Sequence, residues 1–181
     1  YQYDPVGNRT ALIDAKGQAT VYGYDLRDSL SEVDESPLAW TDPNVRPSTV
    51  ISTTYAYDNL GNLSRATRAT ADTSNERATD YGYDGLNRLR SETQYPSWPV
   101  TTTTLLTSYT YDLNGNRQTM LDPLGRTTTD AYDPLNRLKT ISYSDGGATH
   151  NVSYGYDANG NRTSKADGTG TTSYAYDQVD E

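Results

Sequence analysis

Tyrosines alternate with small residues in short bursts along this chain, and each burst closes on an aspartate. The bursts are Tyr1, Tyr3 and Asp4; Tyr22, Tyr24 and Asp25; Tyr55, Tyr57 and Asp58; Tyr81, Tyr83 and Asp84. They continue as Tyr109, Tyr111 and Asp112; Tyr154, Tyr156 and Asp157; Tyr174, Tyr176 and Asp177. An eighth copy, Asp130-Ala131-Tyr132-Asp133, has Asp in place of its first Tyr. Side chains alternate in a strand, so both rings of a burst share one face and the residue between them takes the other. Those intervening residues, among them Gly23, Ala56, Gly82 and Gly155, are mostly small. That predicts a crowded second face or a close backbone approach.

A turn follows each burst. Asp4-Pro5-Val6-Gly7-Asn8 and Asp157-Ala158-Asn159-Gly160-Asn161 show its chemistry. Asp accepts hydrogen bonds from backbone two residues on, and Gly or Asn takes a left-handed conformation. Asp84-Gly85-Leu86-Asn87-Arg88 and Asp133-Pro134-Leu135-Asn136-Arg137 read as one residue shorter. A return strand is expected to begin at the Arg, at Arg9, Arg88, Arg117 and Arg137. A second turn, such as Asp14-Ala15-Lys16-Gly17 or Asp122-Pro123-Leu124-Gly125, leads into the next burst. The closing Asp positions are separated by 21, 33, 26, 28, 21, 24 and 20 residues. So short a period marks one supersecondary unit copied along the chain, with no helical periodicity. The expected fold is all-β: an antiparallel, twisted sheet of consecutive hairpins, about 16 strands, forming one continuous array over residues 1–181. Extra residues are expected in the second turn, around 32–50, 69–79, 96–104 and 144–151. Trp40 and Trp98 lie in such inserts and are the candidate ligand-facing residues, weighed against simply pinning their loops to the sheet.

Composition changes the picture in two ways. Leu, Ile, Val and Phe together make up only 26 of 181 residues, Phe contributing none, so the 17 tyrosines must carry much of the core. A net charge of -9 sets the surface against phosphate backbones and so against nucleic-acid partners. No apolar run approaches the length of a membrane helix. Without cysteine there are no disulfides or thiolate metal sites.

Tyr-x-Tyr-Asp followed by Gly-Asn-Arg or Leu-Asn-Arg, with Asp-x-x-Gly between copies, resembles the YD repeat. This repeat occurs in bacterial Rhs proteins, wall-associated proteins, C components of insecticidal toxin complexes and animal teneurins. The resemblance runs over residues 1–181 in eight copies, and its Gly-Asn-Arg form is closer to bacterial members. It implies a spiralling antiparallel sheet of hairpins that winds into a shell. It also implies a secreted or cell-surface location, with the rest of a parent chain and an enclosed C-terminal effector as partners. The sequence reads as an excerpt of such a chain. Asp122-Pro123-Leu124-Gly125 and Asp133-Pro134-Leu135 are superficially like an autoproteolytic aspartate motif of some bacterial shells, but Asn136 stands where that motif has Gly. No cleavage role is carried over.

Catalysis has little support. The repeated Asp and the following Arg are better read as turn caps and charge partners than as a row of catalytic or metal-binding carboxylates. His150 is the only histidine and has no Cys or second His to share a metal. No cofactor is implied. The expected function is therefore a structural shell or scaffold, not an enzyme. Two other readings stay open: a carbohydrate-binding adhesion module using Tyr or Trp faces, and a fibre that self-associates through sheet edges.

Overall fold

A computed structural model describes residues 1–39, 50–69, 76–99, 102–144 and 151–177. Among these residues there are fifteen strands and no helix, close to the expected 16. The contacts divide the chain into unit 1, Tyr1–Leu105, and unit 2, Leu106–Glu181. Unit 1 holds β1 (Gln2–Tyr3), β2 (Arg9–Ile13), β3 (Gln18–Tyr24) and β4 (Leu30–Ala39). It continues with β5 (Ile51–Tyr57), β6 (Leu63–Ala69), β7 (Arg77–Tyr83) and β8 (Leu89–Tyr95). Unit 2 comprises β9 (Leu105–Tyr111), which starts at the boundary, β10 (Arg117–Leu121), β11 (Thr127–Tyr132) and β12 (Leu138–Tyr143). Its last strands are β13 (Val152–Tyr156), β14 (Arg162–Asp167) and β15 (Gly170–Ser173). Within each unit every strand pairs antiparallel with its neighbours in sequence, so each unit is a run of hairpins.

The turns are more uniform than the sequence suggests. Counting Asp as position 1, its backbone N–H donates to the carbonyl of position 5, and the N–H of position 4 donates back to Asp. This holds at Asp4, Asp25, Asp58, Asp84, Asp112, Asp133 and Asp157, and equally in the second turns at Asp14 and Asp122. Position 4 has positive φ throughout: Gly7, Gly61, Gly115 and Gly160 at 86–99°, but Asp28, Asn87 and Asn136 at 59–60°. Asn87 and Asn136 thus occupy the glycine place, and the supposedly shorter turns have the same length. Arg88 and Arg137 sit at position 5, inside the turn, and the return strands begin one residue later, at Leu89 and Leu138. The first insert also differs from expectation, because β4 extends to Ala39 and takes up its first residues as strand.

Seven hairpins share a register shift that the sequence did not announce. Gly23 faces Glu32, yet the next residue, Tyr24, faces Leu30; Gly82 and Tyr83 face Ser91 and Leu89 in the same way. The skipped residue at position 7 is Thr10, Ser31, Ser64, Arg90, Gln118, Lys139 or Thr163. All are polar or charged. One extra residue in the return strand is a β-bulge, which bends the strand and increases local twist. In three hairpins the tyrosine face meets apolar partners across the pair: Leu30 and Val33, Leu63 and Ala66, Leu138 and Ile141. The other face is less uniformly crowded than predicted. Ala56, Thr110, Ala131 and Ala175 are exposed, whereas Ala11, Ala19, Val50 and Ala78 are buried, with Val21 packed on the Ala19–Val50 pair.

Candidate functional site

The feature that recurs from repeat to repeat is the joint between one hairpin and the next. Backbone pairing between hairpins stops early. β2 and β3 pair from Ile13–Ala19 to Ala11–Val21, β4 and β5 from Glu35–Ile51 to Glu32–Thr54, and β6 and β7 from Arg68–Arg77 to Arg65–Asp80. Beyond that point the bulge leaves a wedge beside the turn, and the tyrosines fill it. In five bursts the second Tyr donates its phenol to the carbonyl of position 6 in the preceding hairpin. Tyr24 reaches Arg9 (3.0 Å), Tyr57 reaches Leu30 (2.8 Å), Tyr83 reaches Leu63 (3.0 Å), Tyr156 reaches Leu138 (2.9 Å) and Tyr176 reaches Arg162 (3.0 Å). A phenylalanine ring would fill the wedge but leave the carbonyl without this donor, which accounts for tyrosine rather than phenylalanine at these five positions. Burial raises the Tyr57 and Tyr83 phenol pKa values, with smaller contributions from Asp25 and Asp58, so both stay neutral donors. Tyr1 and Tyr3 have no earlier hairpin in this sequence to reach and are 77% and 63% exposed.

Position 6 decides what the first Tyr does. Where it is Arg, the guanidinium stacks on the next hairpin's first ring: Arg9 lies 4.6 Å from the Tyr22 centroid and Arg162 4.7 Å from Tyr174. Arg9 also donates to the Tyr22 hydroxyl at 3.0 Å. In the copy without a first Tyr, Arg117 meets Asp130 instead, Nε at 2.9 Å and Nη2 at 2.7 Å from Oδ2. A carboxylate thus stands in for a ring. Asp130 is only 5% exposed, and its Oδ1 has no hydrogen-bond partner among the described residues.

The turn aspartates are engaged within their turns. Oδ1 of Asp58 accepts the N–H groups of Leu60 and Asn62, while Oδ2 accepts the Asn62 side chain at 3.0 Å. Where position 5 is Arg, its guanidinium replaces the amide: Arg88 on Asp84 at 2.8 Å, Arg137 on Asp133 at 2.7 Å. The side chain of Asn62 and its backbone hold Asp58 below the ordinary carboxylate range, and the Arg88 side chain does the same for Asp84. These carboxylates are occupied as caps. No cluster of three or more Asp, Glu, His or Cys poised for a metal occurs among the described residues.

Trp98 folds back onto the face opposite the tyrosines. Its backbone N–H bonds the Glu76 carbonyl at 2.8 Å, its ring lies 4.6 Å from the Arg65 guanidinium, and it meets Tyr95 edge-on at 5.3 Å. Beneath it, Arg65 Nη2 donates to Asp80 at 2.7 Å and the Tyr95 hydroxyl donates to Asp80 at 3.1 Å. The Arg65 hydrogen bond is the leading cause that depresses the Asp80 pKa. Trp98 thus anchors its loop. Trp40 and His150 lie outside the described residues.

Comparison with known proteins agrees with this geometry. Residues 111–149 and 132–172 match the family model described as RHS Repeat. No curated protein sequence matches the chain. Among solved structures, the chain is similar to TcdB2-TccC3-Cdc42 and to TcdB2-TccC3 without its hypervariable C-terminal region. Both superpose with a TM-score of 0.71 at 18% and 19% identity over 96% of this chain. The Tc holotoxin pore of Photorhabdus luminescens is similar at a TM-score of 0.69 and 18% identity. The chain spans 9% of the length of each of these chains.

Proposed function

We propose that this chain, whose residues 111–172 match the RHS repeat, is a stretch of such repeats and forms part of the wall of a secreted bacterial toxin shell. The wall is one continuous array of hairpins, and it encloses or presents an effector carried elsewhere in a longer chain. The observation that carries the proposal is the phenol-to-carbonyl joint, repeated from hairpin to hairpin. At five joints it closes the wedge beside the bulge, and this supports a sheet sealed where backbone pairing stops. A sealed wall serves containment, and the engagement of the turn carboxylates within their own turns supports a structural role for them. The likeness to TcdB2-TccC3 structures supports the same reading. Glycan recognition has weaker support, because Trp98 is engaged by Arg65 and Tyr95.

The test uses the full-length protein that carries this chain. Its effector portion is expected to resist protease while the wall is intact. It becomes sensitive when Tyr24, Tyr57 and Tyr83 are changed together to Phe. Equal sensitivity in the unaltered protein would overturn the containment role.

A further inference from the structure

The repeats are not all alike, and the differences alternate. Turns with Gly at position 4 and Asn at position 5 are Asp4–Asn8, Asp58–Asn62, Asp112–Asn116 and Asp157–Asn161; we call these class A. Turns with Asp or Asn at position 4 and Ser or Arg at position 5 are Asp25–Ser29, Asp84–Arg88 and Asp133–Arg137; these are class B. The order along the chain is A, B, A, B, A, B, A.

Each class makes a different bond to the hairpin that follows. The Asn at position 5 of a class A turn donates across to the position 4 side chain of the next, class B, turn. Asn8 Nδ2 reaches Asp28 Oδ1 at 3.1 Å, Asn62 Nδ2 reaches Asn87 Oδ1 at 3.2 Å, and Asn116 Nδ2 reaches Asn136 Oδ1 at 3.0 Å. A glycine there has no oxygen to offer. From class B to class A the bond is of another kind, an Arg to the backbone carbonyl of the next turn's Asp. Arg137 Nη1 lies 3.2 Å from the Asp157 carbonyl and Arg27 Nη1 3.4 Å from that of Asp58.

The backbone enforces the same alternation. Class B residues at φ near 60° lie in the left-handed region that Asn and Asp tolerate. Class A glycines, at 86–99°, lie beyond it, where a side chain is strained. In the eighth copy position 4 is Asp180, as in class B, and position 5 is Glu181; residues 178–181 lie outside the described ones.

We propose that these turn side chains form a two-hairpin code: a class A turn specifies class B as its neighbour, and class B specifies class A. The surface that the turn edge of a class A hairpin presents is therefore selective, and the partner it fits is a hairpin with Asp or Asn at position 4. The structural unit of assembly is the A–B pair, which also fixes neighbours in register.

The test conserves composition. Residues 25–29 are exchanged with residues 58–62 in the full chain, which turns A, B, A, B into A, A, B, B; both turns are followed by Leu, so the bulge is undisturbed. A control exchanges two class A turns, residues 4–8 with 58–62, which have the apolar Val6 and Leu60 at position 3 and so keep the cross-turn donors Asn8 and Asn62 in kind. The A/B exchange is expected to speed amide hydrogen exchange at Asn8 and Arg88, about fivefold for each lost cross-turn bond. It should also lower the melting midpoint. The control exchange should leave both unchanged. An A/B-exchanged chain that fails to fold while the control folds supports the code equally. Unaltered exchange rates in the A/B variant overturn it. A double-mutant cycle of Asn62→Ala with Asn87→Gly gives a second reading. The code requires the double variant to lose less than the product of the single losses, by about fivefold in the unfolding constant. A ratio of one refutes the contact.

Discussion

Removing one oxygen atom, by Tyr83→Phe, tests the joint most directly. The ring stays in its wedge, so buried area is kept and only the bond to the Leu63 carbonyl is lost. Such a bond contributes about 0.5–1.5 kcal/mol net, and a half-buried carbonyl left without it places the loss near the upper end. For a chain of this length, about 1 kcal/mol lowers the melting midpoint by roughly 2–4 °C. Tyr24, Tyr57 and Tyr83 act at separate joints, so the triple variant should lose about 3 kcal/mol, near the sum of the single losses. Thermal melts followed by near-ultraviolet circular dichroism measure it, with Tyr1→Phe, at a 77% exposed ring, as control. An alkaline titration adds a second readout. The Tyr57 and Tyr83 phenols are raised above their unfolded value, so their contribution is complete below about pH 10 and disappears as pH climbs through the folded values. The triple variant should show a shallower alkaline loss. Phe variants as stable as the parent, with an unchanged alkaline limb, would mean that the rings act only as apolar filler.

Four further outcomes follow from the same geometry. Lowering the pH should loosen the turns, because Asp58, Asp84, Asp112 and Asp133 have folded pKa values below their unfolded ones. Their stabilisation is present above about pH 4 and is lost as pH falls through the folded values; exchange of the Asn62 and Arg88 amides across pH 5 to 2 reports it. Gly61→Ala should cost about 1–2 kcal/mol in a melt, since φ is +86° there, whereas Asn87→Gly should retain the turn's backbone conformation. Trp98→Ala should lose about 1–2 kcal/mol through the Arg65 and Tyr95 contacts and speed proteolysis within residues 96–104, without changing binding on a glycan array. Asp130→Tyr should be tolerated, because Arg117 can stack on a ring as Arg9 does on Tyr22, whereas Asp130→Ala should destabilise by about 1–3 kcal/mol; calorimetry separates the two.

The hairpins were legible in the sequence because their signals are local. An Asp that caps its own turn and a Gly or Asn with positive φ act within five residues, so Asp4–Asn8 or Asp157–Asn161 can be read directly. Tyr-x-Tyr places two rings on one face through strand alternation alone. The same local reading misplaced Arg88 and Arg137, because Asn-Arg resembles Asn followed by the strand's first residue; only the register shows that Asn87 and Asn136 hold the glycine place. The bulge at position 7 left no more than a polar residue as its trace. What the phenols do was beyond the sequence, since Tyr57 and Leu30 are 27 residues apart and meet only after pairing stops short and the strands part. The partnership of Arg117 with Asp130 likewise exists because the register brings them together across 13 residues. Short-range chemistry wrote the hairpins into the chain, while the packing of one hairpin on the next chose tyrosine over phenylalanine and set which turn stands beside which.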